Sequence, residues 1–227
     1  MSALYVFLRH LTALIYPARC PVCNKVIGAM DRFCDKCNSE FTEYHGNFKM
    51  QKVKKFIAVF EYNTKISPAV FLMKDGISGN APYAFGSLIA ERIKDEGINA
   101  DLIVPVPMYK KDLKKRGYNQ AELIAKEVGF FLETDVAGDI VVKNRQTQAQ
   151  KNLTFVQRKE NLKNAFSVTD TSKIKGKRII IIDDICTTGS TLSEVANLLI
   201  DSGASEIYCA CACKTPYIKR GDKNESR

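Results

Sequence analysis

A chain of 227 residues has room for one full α/β domain and a small second module, and is short for two ordinary domains. Its 45% hydrophobic and 26% charged residues exclude a disordered or fibrous protein. The net charge of +9, from 34 Lys and Arg against 25 Asp and Glu, favours anionic partners such as phosphates, nucleotides or nucleic acid without choosing among them.

The run Leu4 to Ile15 is apolar but carries Arg9 and His10 and has no basic start. It is also shorter than the ~20 residues that cross a bilayer. Leu4, Phe7, Leu8, Leu11, Leu14 and Ile15 keep helical spacing, which predicts a short amphipathic helix packed on the protein itself. The expectation is a cytoplasmic protein with no transmembrane segment, peripheral contact at the inner face of the membrane being the alternative.

Eight cysteines with no signal peptide argue against a disulfide framework, because the cytosol keeps thiols reduced. Cys20, Cys23, Cys34 and Cys37 form two C-x2-C knuckles separated by ten residues. Each knuckle turns two sulfurs toward one ion, and two knuckles complete the tetrahedral thiolate shell that structural Zn2+ prefers. So short a segment buries little apolar surface, and metal binding supplies the free energy to order it. Four protein ligands leave no open position for catalysis. The predicted organisation is a helix and zinc-ribbon module over 1–46, followed by an α/β domain over 47–227.

In that second part, Lys54 to Tyr62 is predicted as a strand. A helix follows, with Ser67 as N-cap and Pro68 in the first position, ending at Gly76. A second helix spans Pro82 to Glu96, and Asp101 to Pro107 is a buried strand leading into a basic loop. Asn119 to Leu132 has helical periodicity, and Asp139 to Lys143 is a strand. The polar stretch Asn144 to Lys159 is too long for a tight connection, a length that usually marks function or disorder. Lys177 to Ile182 is a β-branched run suited to a central strand covered on both faces. A helix from Ser190 to Asp201 and a strand beginning EIYCACAC at Glu206 complete the alternation, which predicts a parallel sheet flanked by helices. In that last strand Cys209, Cys211 and Cys213 share one face as small hydrophobes of the core. The tail Gly221 to Arg227 is polar and loose.

The chemistry concentrates in RIIIIDDICTTGSTL, Arg178 to Leu192. Its isoleucines bury a strand and deliver Asp183 and Asp184 at the carboxyl end, where open parallel sheets bind ligands. Thr187, Thr188, Gly189, Ser190 and Thr191 then open a helix whose first N–H groups attract an anion. Gly189 allows φ > 0 and a close backbone approach, and the hydroxyls add donors. Two carboxylates beside a phosphate cradle suit vicinal hydroxyls near a phosphate, which describes ribose 5-phosphate. Lys110, Lys111, Lys114, Lys115 and Arg116 make a dense positive run beside a strand end, able to stabilise a pyrophosphate bridged by Mg2+. Arg116 and Lys74 are the candidates for that role, most of the other lysines fitting a solvated face better.

Asp183 to Thr191 resembles the phosphoribosyl pyrophosphate signature of type I phosphoribosyltransferases. Most of the chain is similar to the ComF (competence protein F) family through CPVC and CDKC, PVPMYKKDLKKRGYNQAELIA (Pro105 to Ala125), RQTQAQKNLTFVQRKENLKNAF (Arg145 to Phe166) and the signature itself. One departure is Cys186, where a hydrophobic or aromatic residue is commoner.

The resemblance implies that Asp183 and Asp184 bind the ribose hydroxyls and that Thr187 to Thr191 bind the 5-phosphate. It also implies that the loop after Val104 faces the pyrophosphate and that Arg145 to Gln150 cover the site. Three functions remain open. The family implies a role in DNA uptake during transformation, with competence proteins as partners; basic stretches at Lys49 to Lys55 and Lys110 to Arg116, near Phe48, Phe56 and Tyr118, fit single-stranded DNA. An active phosphoribosyltransferase of unknown acceptor would use Asp184 as its base. A sensor would bind phosphoribosyl pyrophosphate and turn nothing over.

Overall fold

The computed structural model of the chain describes residues 3–74, 79–147, 162 and 164–216. The predicted helix end at Gly76 and the tail from Gly221 lie outside them. In chain order the elements are helices α1 (Ala3–Ile15) and α2 (Asp35–Asn38), strand β1 (Lys55–Glu61), helices α3 (Ser67–Lys74) and α4 (Ala81–Asp95), and strand β2 (Leu102–Pro105). Helices α5 (Lys110–Arg116) and α6 (Gln120–Leu132) follow, then strands β3 (Val141–Lys143), β4 (Phe166–Val168) and β5 (Arg178–Cys186), helix α7 (Ser190–Asp201) and strand β6 (Glu206–Lys214).

Four strands form a parallel sheet in the order β1-β6-β5-β2. The two longest and most apolar strands, β5 and β6, lie in the middle, where both faces need cover. Ile179 to Ile182 are fully buried, alternating between two apolar layers. Ile180 and Ile182 pack with Phe85 and Ile89 of α4 and Ile124 and Val128 of α6. Ile179 and Ile181 pack with Leu192, Val195 and Leu199 of α7. Helices α4 and α6 approach so closely that a Cβ on Gly86 would collide with Glu127, so this crossing requires glycine.

The strand alternation slips at the ligand end of the sheet. Beyond the acids it is Ile185 that joins the first layer and Cys186 the second. The Asp183 carboxylate accepts the N–H of Asp184, and that of Asp184 accepts the N–H of Ile185, so side chains take over backbone donors at the slip. Strand β6 follows: Cys209 and Cys211 belong to the second layer, but Cys213 packs into the first, so the three buried cysteines do not share one face.

Three further expectations change. The basic segment after β2 is not a loop but helix α5, closed by Gly117 at φ 88°. Strand β3 does not join the parallel sheet; it pairs antiparallel with β4, forming a ribbon at the base of the long polar connection. The stripe of α1 faces outward: Leu4, Phe7, Leu8, Leu11, Leu14 and Ile15 are all exposed. Helix α1 docks instead through Tyr5, which donates to Glu127 and stacks on Phe130, and through Arg9, which bonds Asn80 and the Ala29 carbonyl and lies 3.5 Å from the Tyr83 ring centroid. No helix among the described residues is long and apolar enough to cross a membrane.

Candidate functional site

The acids and the hydroxyl-rich turn meet where β5 passes into α7. Strand β2 pairs with β5 only as far as Ile182, and Val106 N–H adds a last bond to the Ile182 carbonyl. From Asp183 to Cys186 the strand therefore has β6 on one side and no ladder partner from β2 on the other. Strand β5 runs three residues beyond Asp183, so both acids stand within its C-terminal stretch rather than after it. They are half-buried.

The turn 187–189 leads into α7 with Gly189 in the N-cap position at φ 77°, ψ 3°. This left-handed conformation suits glycine, which offers no capping side chain, and the Ser190 N–H at the start of the helix donates to the Thr188 hydroxyl at 3.5 Å. The Thr188 and Ser190 hydroxyls lie 2.8 Å apart at this mouth. Phe48, from the segment that joins the cysteine module to β1, covers the glycine: a Cβ there would meet its Cε1 at 2.9 Å. Cys186 is buried, and burial foremost pushes its thiol up to about 12, so it stays a neutral thiol beneath the turn.

Arg116 ends α5 and donates to Gln120, whose amide donates to the Met73 carbonyl, as does the Tyr118 hydroxyl. Lys74 follows Met73 at the end of α3, and its side chain lies outside the described residues. Asn119, the N-cap of α6, donates to the Val106 carbonyl, which ties this junction to the end of β2. Of the predicted cover, Arg145 is described and residues 148–150 are not.

Two basic groups escaped the sequence reading. Lys143 ends β3 with its ammonium 5.8 Å from the Phe166 ring; burial foremost lowers its pKa, opposed by the nearby Asp112 and Asp183 carboxylates. Lys214, buried at the end of β6, donates to the carbonyl of Thr187, the residue that opens the turn. Of the aromatic residues in the expected DNA surface, Phe48 and Tyr118 are half-buried. Phe56 is buried beneath Phe48, and Tyr118 is engaged at Met73. In the adjoining basic stretch Lys52, Lys54 and Lys55 are ion-paired with Asp201, Glu206 and Glu96.

The four N-terminal cysteines converge as expected, with all sulfurs within 4.8 Å of one another. The first knuckle is a turn in which Asn24 N–H bonds the Cys20 carbonyl, with Asn24 at φ 62°. The second is carried by α2, with Cys34 as its N-cap and Cys37 inside it. Tetrahedral Zn–S bonds of ~2.3 Å imply sulfurs about 3.8 Å apart, so these thiols fit one Zn2+ with little adjustment. Burial most strongly raises the Cys20 pKa, but bonds from backbone N–H groups, Cys34 and Cys23 foremost, bring it down to about 7, which favours the thiolate a metal needs.

Comparison with known proteins agrees with both halves. Residues 82–227 match the phosphoribosyl transferase domain family and residues 11–48 the double zinc ribbon domain, of which this chain has cysteines for one ion. Competence protein F of Haemophilus influenzae is 30% identical over 199 residues, covering 83% of this chain and 86% of that protein. The DNA utilization protein YhgH of Escherichia coli is 29% identical over 206 residues, covering 86% and 90%. Competence protein ComFC of Bacillus subtilis is 25% identical over 190 residues, covering 81% and 72%.

Proposed function

The chain belongs to the phosphoribosyl transferase domain family, in the ComF-type arrangement with a zinc ribbon ahead of that domain, and on that premise we propose that it binds phosphoribosyl pyrophosphate with Mg2+ and serves in the use of incoming DNA. One observation carries the ligand. The end of a central parallel strand holds Asp183 and Asp184 beside a left-handed Gly189 and the hydroxyls of Thr188 and Ser190. In this reading the acids accept from the ribose diol, and the turn and the first N–H groups of α7 surround the 5-phosphate. Mg2+ would travel with the pyrophosphate, neutralising its oxygens, and Arg116 and Lys74 are the basic candidates for that role. The role in DNA use rests on relatives named for competence and DNA utilization.

Calorimetric titration of the full chain with phosphoribosyl pyrophosphate and Mg2+ tests this. Binding is expected for the wild type. Asp183→Asn with Asp184→Asn should weaken it by at least roughly 100-fold, since hydrogen bonds to charged groups contribute about 1.5–3 kcal/mol each. No heat with the wild type, or equal affinity in the double variant, would discard the reading.

A further inference from the structure

Lys214 is only 6% exposed, an unusual position for an ammonium group. Its Nζ donates to the Thr187 carbonyl at 2.7 Å and the Thr215 carbonyl at 2.8 Å, and lies 4.5 Å from the Phe48 ring centroid. These neighbours accept its hydrogens and stabilise its charge, but none of them carries a formal negative charge. Among the described residues no carboxylate forms an ion pair with it. The adjacent Cys186 thiol, held neutral by burial, supplies no counter-charge. A buried charge is costly unless it is paired and hydrogen-bonded, so an anion reaching this corner gains from the ammonium and relieves part of that cost. A second observation marks the same corner: the Thr215 hydroxyl oxygen is buried with no hydrogen-bond partner, while Thr215 N–H bonds the Cys186 carbonyl.

We propose that Lys214 and Thr215 are part of the phosphate site, with Lys214 a positioning residue whose buried charge makes the turn at Thr187 to Thr191 select a dianionic phosphomonoester over a singly charged phosphodiester. Lys214 acts through the Thr187 carbonyl, which it fixes in place, and through its field, which a low-dielectric surrounding transmits with little screening. The unpartnered Thr215 hydroxyl supplies a donor at the same corner for the phosphate or for a water bridging to it. The selection keeps a free sugar phosphate in the site against the diester backbone of DNA. The inference rests on the reading of Asp183 to Thr191 as a ribose 5-phosphate site.

The test compares ribose 5-phosphate, its 5-(methyl phosphate) diester and Mg2+-pyrophosphate in titrations of the full chain. The wild type should prefer ribose 5-phosphate over the diester by about tenfold or more, the scale of one added charge a few ångströms from a partly buried cation. Lys214→Gln keeps donors for both carbonyls and removes the charge. It should reduce that preference to about twofold or less and lower Mg2+-pyrophosphate affinity by less than it lowers ribose 5-phosphate affinity. Thr215→Val should weaken ribose 5-phosphate by a few fold. A purely structural lysine would weaken both sugar ligands equally and keep the preference, and that result overturns the proposal. Equal wild-type affinity for monoester and diester overturns it as well, without need of any variant. A wild type that binds neither sugar ligand removes the ribose 5-phosphate reading and this inference with it, whereas binding without charge preference removes the inference alone.

Discussion

Gly189 bears two constraints at once. Its φ of 77° lies in the left-handed region, which costs an L-residue roughly 1–2 kcal/mol. Its missing side chain also makes room for Phe48, and the Met50 methyl stands 3.5 Å from where a Cβ would be. Gly189→Ala should therefore lower the melting temperature by several degrees and weaken ligand binding by at least tenfold, because the displaced turn is the one proposed to hold the phosphate. Adding Phe48→Ala should restore part of the affinity, the steric part, and leave the conformational part lost. Thermal melts and calorimetry on the three proteins check this, and an alanine variant that melts and binds like the wild type would count against the turn. The residues of this turn were legible because they are contiguous, and apolar strand, acidic pair, TTGST and helix follow one another without a gap. Lys143 and Lys214 were not, and Phe48 was read as a DNA-facing aromatic instead, because each reaches the corner from a distant segment. Arg116 was legible as a charge next to a strand end, but its tie through Gln120 to the end of α3 is a product of packing.

Elements were legible as periodicities and less so in their partners. The short apolar run at β3 announced a strand, but nothing in three residues specifies whether a parallel sheet or a nearby antiparallel strand will take it; β4 does. The 3.6-residue stripe of α1 announced a helix, and the usual rule that the apolar stripe turns inward failed. Its docking is made by aromatic stacking, one guanidinium over a tyrosine ring and one hydrogen bond to Glu127, interactions that hydropathy does not count. Helix α5 illustrates the opposite case. Its lysines read as a solvated basic run and are one, since Lys110, Lys111, Lys114 and Lys115 are exposed. Because the lysines at 52, 54 and 55 already have acidic partners, α5 is the stronger candidate for binding single-stranded DNA. Lys114→Glu with Lys115→Glu should leave the melting temperature unchanged, because neither side chain is packed. Fluorescence anisotropy with a labelled oligonucleotide should then show weaker binding and a flatter salt dependence, by about 0.7 in log–log slope for each phosphate that the helix no longer neutralises. An unchanged slope would move any DNA binding off this helix.

At the scale of the whole molecule the cysteine module is not a bead on a string. Cys20, Cys34 and Cys37 are buried in the same apolar layer as β1 and α4, and Phe33 lies edge-on to Phe41, Phe60 and Phe85. The chain leaving the module hydrogen-bonds along the edge of the sheet, Tyr44 N–H to the Val59 carbonyl and Glu61 N–H to the Thr42 carbonyl, before it lays Phe48 over Gly189. Removing the metal should therefore be felt at the phosphate site. Structural zinc contributes about 10–16 kcal/mol in small modules, comparable to the whole stability of a domain at about 5–15 kcal/mol. Chelation, or Cys37→Ser, should lower the melting temperature of the entire chain, expose the phenylalanine cluster to a hydrophobic dye and weaken sugar-phosphate binding together. An independent module would unfold alone, leaving the main transition and the titration as they were. The shared layer argues for the first outcome, because Phe33 cannot leave its place among Phe60 and Phe85 without opening a cavity against β1, the strand that carries the strap to the site.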